Sequence, residues 1–158
     1  MWIAGTAVVV LVVPAVGWLL RVRRRLVVVD VDGNSMRPTL VAGTRVLVRR
    51  ARVADVHVGQ IVVIERPYRD QRGWTWPSGG KASGRSWMIK RVAALAGDPV
   101  PRAVAERLPS EPRSVVPPDH LVVLGDNESD SIDSRALGYV PGDQVIGVVL
   151  RRLRPVSR

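Results

Sequence analysis

A serine in a loop bounded by glycine and proline, and a lysine inside an apolar run, are the two places where this chain offers a reactive pair. Gly33-Asn34-Ser35-Met36-Arg37-Pro38-Thr39-Leu40 flanks Ser35 with backbone-shaping residues that can hold a hydroxyl on a tight turn with free N–H groups nearby. Lys90 lies within Ser86-Trp87-Met88-Ile89-Lys90-Arg91-Val92-Ala93, and only it and Lys81 are lysines among 24 basic side chains. A guanidinium keeps its proton in a protein, whereas a desolvated ammonium can lose it, as a catalytic base must. Each residue alone also has an ordinary reading: Ser35 as a turn serine, and Lys90 as a solvated side chain in an arginine-favouring composition. With no cysteine in the chain, any nucleophile is a hydroxyl, an amine or a carboxylate.

A third polar stretch follows an apolar strand: Gly125-Asp126-Asn127-Glu128-Ser129-Asp130-Ser131-Ile132-Asp133-Ser134-Arg135-Ala136-Leu137-Gly138. It reads as a solvated loop rich in short polar side chains, or as a network, with Asp133 and Arg135 paired, that orients another side chain.

Short β-branched runs bounded by turn residues carry these stretches. Strands are expected over Leu26 to Val31, Thr44 to Val48, Gln60 to Ile64, Trp87 to Ala93, His120 to Leu124 and Gln144 to Leu150. After residue 25 the only helical pattern is a short one around Arg102 to Leu108, so the domain is expected to be mainly β. Arg66 to Ser86, with Trp74, Trp76 and four glycines, reads as a long hairpin or a flexible loop. Pro99 to Pro118, with six prolines, reads as an extended crossing over the surface.

At 158 residues, 46% of them apolar, the chain suits one domain with a real core. Trp2 to Leu20 carry no charge over a length that crosses a bilayer, which predicts a transmembrane helix with Trp2 and Trp18 at its interfaces. A cleaved signal peptide fits less well, because the apolar run is long and positive charge follows it instead of preceding it. The expected division is an anchor with juxtamembrane arginines over 1–25 and a β-rich domain over 26–158 with a long loop at 66–86. The net charge of +10 invites a nucleic-acid partner. However, the cluster Arg21, Arg23, Arg24 and Arg25 beside the apolar span suits anionic headgroups at least as well, and no nucleic acid is expected. His57 and His120 have no metal-ligand spacing, and no metal or other cofactor is expected.

Together the three stretches resemble the type I signal peptidases, membrane-anchored serine proteases that remove signal peptides with a Ser-Lys dyad. Ser35-Met36-Arg37-Pro38-Thr39-Leu40 fits the family's S-M-x-P-T-L box. Lys90 to Asp98 fits K-R-x-x-G-x-x-G-D except for Ala94 at the inner glycine, and Gly125 to Gly138 fits G-D-N-x-x-x-S-x-D-S-R-x-x-G throughout. The resemblance spans nearly the whole chain and implies an antiparallel β core of the signal peptidase and LexA-like type behind one N-terminal transmembrane helix. It implies Ser35 as nucleophile, its backbone N–H in the oxyanion hole, and Lys90 as general base. Ser131 would hydrogen-bond and orient the lysine, Asp133 and Arg135 would form a structural pair, and Asp126 and Asn127 would belong to the scaffold. Met36 and Pro38 would border the substrate, an extended peptide with small residues at the first and third positions before the cut.

The implied partners are signal-peptide-bearing precursors, the lipid bilayer and the secretion translocon. The implied location is the cell membrane, single-pass, with the catalytic domain outside the cytoplasm. The arginines after the span oppose that orientation under the positive-inside rule. Gly33 stands where some members add a serine hydroxyl to the oxyanion hole. Other readings are a dedicated maturation protease for one precursor, a self-cleaving LexA-like repressor, which would be soluble and carry a DNA-binding domain, and a non-catalytic basic module tethered to the membrane.

Overall fold

The computed structural model describes residues 25–71, 73–77, 86–107 and 115–153. The expected membrane span over Trp2 to Leu20 lies outside these residues, as do Lys81 and part of the Arg66 to Ser86 loop. Among the described residues no helix is long and apolar enough to cross a membrane.

The β expectation holds. Among the described residues nine strands form: β1 Leu26–Asp30, β2 Arg45–Arg50, β3 Ile61–Glu65, β4 Tyr68–Asp70, β5 Gly73–Thr75, β6 Trp87–Leu95, β7 His120–Leu124, β8 Val140–Pro141 and β9 Val145–Leu153. Seven make one antiparallel sheet in the order β1-β2-β9-β3-β6-β7-β8, and β4 pairs with β5 in a separate hairpin. The described part of the 66–86 loop is therefore the hairpin, and Trp76 packs against the core beneath it. All six expected strands are present, β7 with the expected ends and each of the others with at least one end shifted by one to three residues. β8 has only two residues, too few to show an alternating pattern. The crossing after Pro99 bridges back through Pro99 to Val115 and contains the short helix α1 Arg102–Ala105.

Both faces of the central strand are buried. Val62 and Ile64 of β3 join one apolar cluster with Met88, Val92, Leu121 and Val123, while Val63 joins another with Val29, Val46, Val48 and Ile89. Side chains alternate across a strand, so a continuous apolar run suits a strand covered on both sides. β1 and β6 are separated in sheet order by β2, β9 and β3, yet both line one cleft. The sheet must curl to bring them face to face.

Candidate active site

The loop after β1 presents Ser35 at the end of that cleft. Gly33 turns the chain with φ 82°, a conformation that favours glycine, and Leu40 N–H donates to Met36 O at 2.8 Å to close the turn. The Ser35 carbonyl accepts from Asn127 N–H at 3.0 Å, and Asn127 Nδ2 donates to Asn34 O at 3.3 Å. The Gly125–Gly138 stretch thus grips the serine loop directly. Gly125 is required for this contact, because a Cβ there would lie 2.6 Å from Ser35 O and against Ser131 Oγ.

Lys90 comes from β6, opposite Val62 in the ladder. Alternation puts it on the same face as Met88 and Val92, and the residue is only 2% exposed. Its Nζ lies 2.7 Å from Ser35 Oγ, within hydrogen-bonding distance. The Lys90 pKa falls from 10.5 to about 8, chiefly through desolvation. Asp133 opposes the fall, Arg66 and Arg135 add to it, and Asp130 again opposes it. A neutral amine is therefore accessible near physiological pH, facing a half-buried hydroxyl that can donate to it.

Asp133, fully buried, organises the ground beneath. It accepts from Gly125 N–H at 2.8 Å, Ser131 Oγ at 2.7 Å, Arg135 Nη2 at 2.6 Å, and Arg135 Nε and N–H at 3.0 and 3.1 Å. Burial works against its ionisation, but the Arg135 hydrogen bonds and those from Gly125 and Ser131 outweigh it and hold the carboxyl below its ordinary range. As N-cap of helix α2 Ser134–Leu137, it also anchors that short helix. Arg135 reaches Glu128 Oε1 at 2.9 Å as well. The expected Asp133–Arg135 pair is present. The hydrogen bond that the resemblance implies from Ser131 to the lysine goes to Asp133 instead, the nearby charged acceptor. Ser131 still lines the same cleft as Lys90 and Ser35.

Asp126 forms a two-point pair with Arg91, at 2.8 and 2.7 Å, and Arg91 Nη1 donates to Gly59 O at 2.8 Å. Arg91 was not singled out from sequence, although it follows Lys90 in the lysine box; the pair ties β6 to the loop holding Asn127. Met36 is buried in the β1 core cluster and forms part of the cleft wall. Pro38 is exposed on a second, shallow depression beside Asp126 to Ser129, away from the walls of the main cleft.

That cleft has a volume of about 1000 Å³ and runs between Val27–Asp32 on one side and Ser86–Lys90 on the other. It has room for an extended chain beside the Ser35 hydroxyl, an arrangement in keeping with the class of serine-type endopeptidases. Known proteins bear this out: the family model for signal peptidase, peptidase S26, matches residues 5–108 and 101–153, so the chain belongs to the signal peptidase family. It is 31% identical over 147 residues to "Probable signal peptidase I-1" of Synechocystis sp., covering 81% of this chain and 71% of the relative. It is also 29% identical over 147 residues to "Signal peptidase IB" of Staphylococcus aureus, covering 80% and 77%.

Proposed function

We propose that this chain is a membrane-anchored signal peptidase that cleaves exported precursors through a dyad of Ser35 and Lys90. The observation that carries the reading is the 2.7 Å contact between Ser35 Oγ and a lysine amine with a lowered pKa.

In this mechanism the neutral Lys90 Nζ takes the Ser35 proton as Oγ attacks the scissile carbonyl. The resulting ammonium returns that proton to the leaving amine, and an acyl-enzyme remains. Lys90, neutral again, removes a proton from water as its oxygen attacks the ester, and Ser35 regains its hydroxyl hydrogen when the acid product departs. The Ser35 N–H makes no hydrogen bond among the described residues, which leaves it available to the developing oxyanion. No hydroxyl stands at Gly33 to add a second donor. Asp133, Arg135, Ser131, Asp126 and Asn127 hold the two reacting groups in register and take no proton.

The division of labour follows the sequence. Residues 1–25 anchor the chain in the bilayer, and 26–158 form the peptidase outside the cytoplasm, near the translocon from which precursors emerge. About 15 residues separate the end of the apolar span from Ser35, which keeps the site close to the membrane surface.

The test is cleavage by the full chain in lipid vesicles of a precursor with alanine at the first and third positions before the cut, with the new N-terminus sequenced. Cleavage at that bond by the wild type, and none by Ser35→Ala, is expected. Equal cleavage by both would remove the reading.

A further inference from the structure

The cleft carries charges of both signs: Asp30, Asp32 and Asp130 line it together with Arg50 and Arg66, whose backbones lie beside the starts of β1 and β6. Arg50 closes β2 beside the start of β1, its N–H donating to Arg25 O at 2.7 Å. Arg66 follows β3, its N–H donating to Ser86 O at 3.0 Å where β6 begins. Both side chains are exposed, and neither takes part in any ion pair among the described residues. Trp74, over which Arg69 lies at 5.9 Å, lines the same cleft. Two guanidiniums without an ion pair among the described residues, both on the wall of the cleft, are complementary to an acid on a bound peptide.

We propose that Arg50 and Arg66 form a subsite for a carboxylate side chain of the substrate, four to six residues before the scissile bond. The inference rests on the peptidase reading above. Val27 and Val31 are four residue steps apart, about 13 Å at roughly 3.3 Å per residue, so an extended peptide that runs beside β1 from the Ser35 loop to the arginines spans about four to six residues. Direction follows from the anchor proposed above: β1 begins directly after residues 1–25 in sequence, so a precursor whose apolar segment precedes the cut would run its amino-terminal side toward the start of β1.

The experiment uses the full chain in phosphatidylcholine vesicles and a set of peptides identical except for Glu, Gln or Lys placed at each position from the third to the seventh before the cut. At one or two positions between the fourth and the sixth, kcat/KM for Glu is expected to exceed that for Gln about tenfold, through KM, with Lys poorer still and the advantage shrinking with salt. The Glu to Gln ratio should fall to near one in R50Q/R66Q and recover in part in R50K/R66K. A ratio near one at every position in the wild type, or a ratio unchanged in R50Q/R66Q, would overturn the subsite. So would an effect of the arginines that follows added phosphatidylglycerol instead of the peptide's charge, which would assign them to lipid headgroups. Binding of the same peptides to the Ser35→Ala chain separates the two claims. A Glu preference in binding with no cleavage by the wild type removes the peptidase reading and keeps the subsite, while normal cleavage without the preference does the reverse.

Discussion

Lys90 Nζ lies 2.7 Å from Ser35 Oγ although 55 positions separate the two residues in the chain. The contact joins the loop after edge strand β1 to the middle of β6, and in sheet order three strands lie between. Curling of the sheet closes the gap, and the Gly125–Asn127 segment clamps it by holding the Ser35 carbonyl.

Removing either partner should stop cleavage without unfolding the protein. Ser35→Ala and Lys90→Arg are each expected to lower kcat/KM at least about a thousandfold, because the remaining oxyanion donors and substrate binding supply only residual rate. Circular dichroism and thermal melts should stay close to wild type for Ser35→Ala. Single-turnover assays with purified variants provide the check.

The lysine should also appear in the pH profile. With a pKa of about 8 in the folded protein, Lys90 is largely protonated at pH 6, and kcat/KM should rise roughly tenfold per pH unit before levelling above about 8. Asp130→Asn removes a charge that favours the ammonium, so the rising limb should move to lower pH; Arg66→Gln should move it to higher pH. A limb that stays in place in both variants would assign it to another group.

The same group makes stability depend on pH in a definite direction. Below pH 8 folded and unfolded chains both hold the proton, and the full cost of burying the ammonium is present. Between 8 and 10.5 the unfolded chain binds the proton and the folded chain does not, so stability rises with pH; above 10.5 the cost is gone. The 2.5-unit difference corresponds to about 3 kcal/mol. Lys90→Met should therefore be inactive yet at least as stable as wild type at pH 7, as measured by urea denaturation, and should lack this alkaline rise.

Asp133 behaves oppositely. Its carboxylate is buried under hydrogen bonds from Gly125, Ser131 and Arg135, and Asp133→Ala leaves the Arg135 guanidinium short of its partner. A loss of about 3 to 5 kcal/mol is expected. In the wild type the stabilisation is present above the ordinary carboxylate pKa of 3.8 and is lost as pH falls through the lower folded value. Acid denaturation curves of wild type and Asp133→Asn should differ in this range.

Two further changes test how the loops are held. Gly125→Ala drives a methyl group against Ser131 Oγ and the Ser35 carbonyl, and activity should fall about a hundredfold, with the loss in kcat. Arg91 and Asp126 are paired but partly exposed, so a double-mutant cycle with Arg91→Met and Asp126→Asn should give only about 1 kcal/mol of coupling in stability. The activity loss should be similar in either single variant, since each releases the same loop.

The sequence by itself was enough to establish the kind of fold, because the Val- and Ile-rich runs of β1, β3, β6, β7 and β9 are long enough to show a pattern and end at Gly, Pro or Asp. It was also enough to single out Ser35, Lys90 and the Asp133–Arg135 pair, since a glycine- and proline-bounded serine, a lysine in an apolar run and a dense polar stretch stand out locally and match the family's boxes. Residue order carries no distances, and what it left open depended on the curl of the sheet. Only the fold decided that Lys90 Nζ meets Ser35 Oγ, that Ser131 gives its hydrogen to Asp133, that Pro38 faces away from the cleft, and that Arg91 ties β6 to the clamp. The charge pattern of the cleft has the same origin: Arg50, which closes β2, and Arg66, which follows β3, look ordinary in sequence, and they line one cleft only because the sheet curls β1 round towards β6.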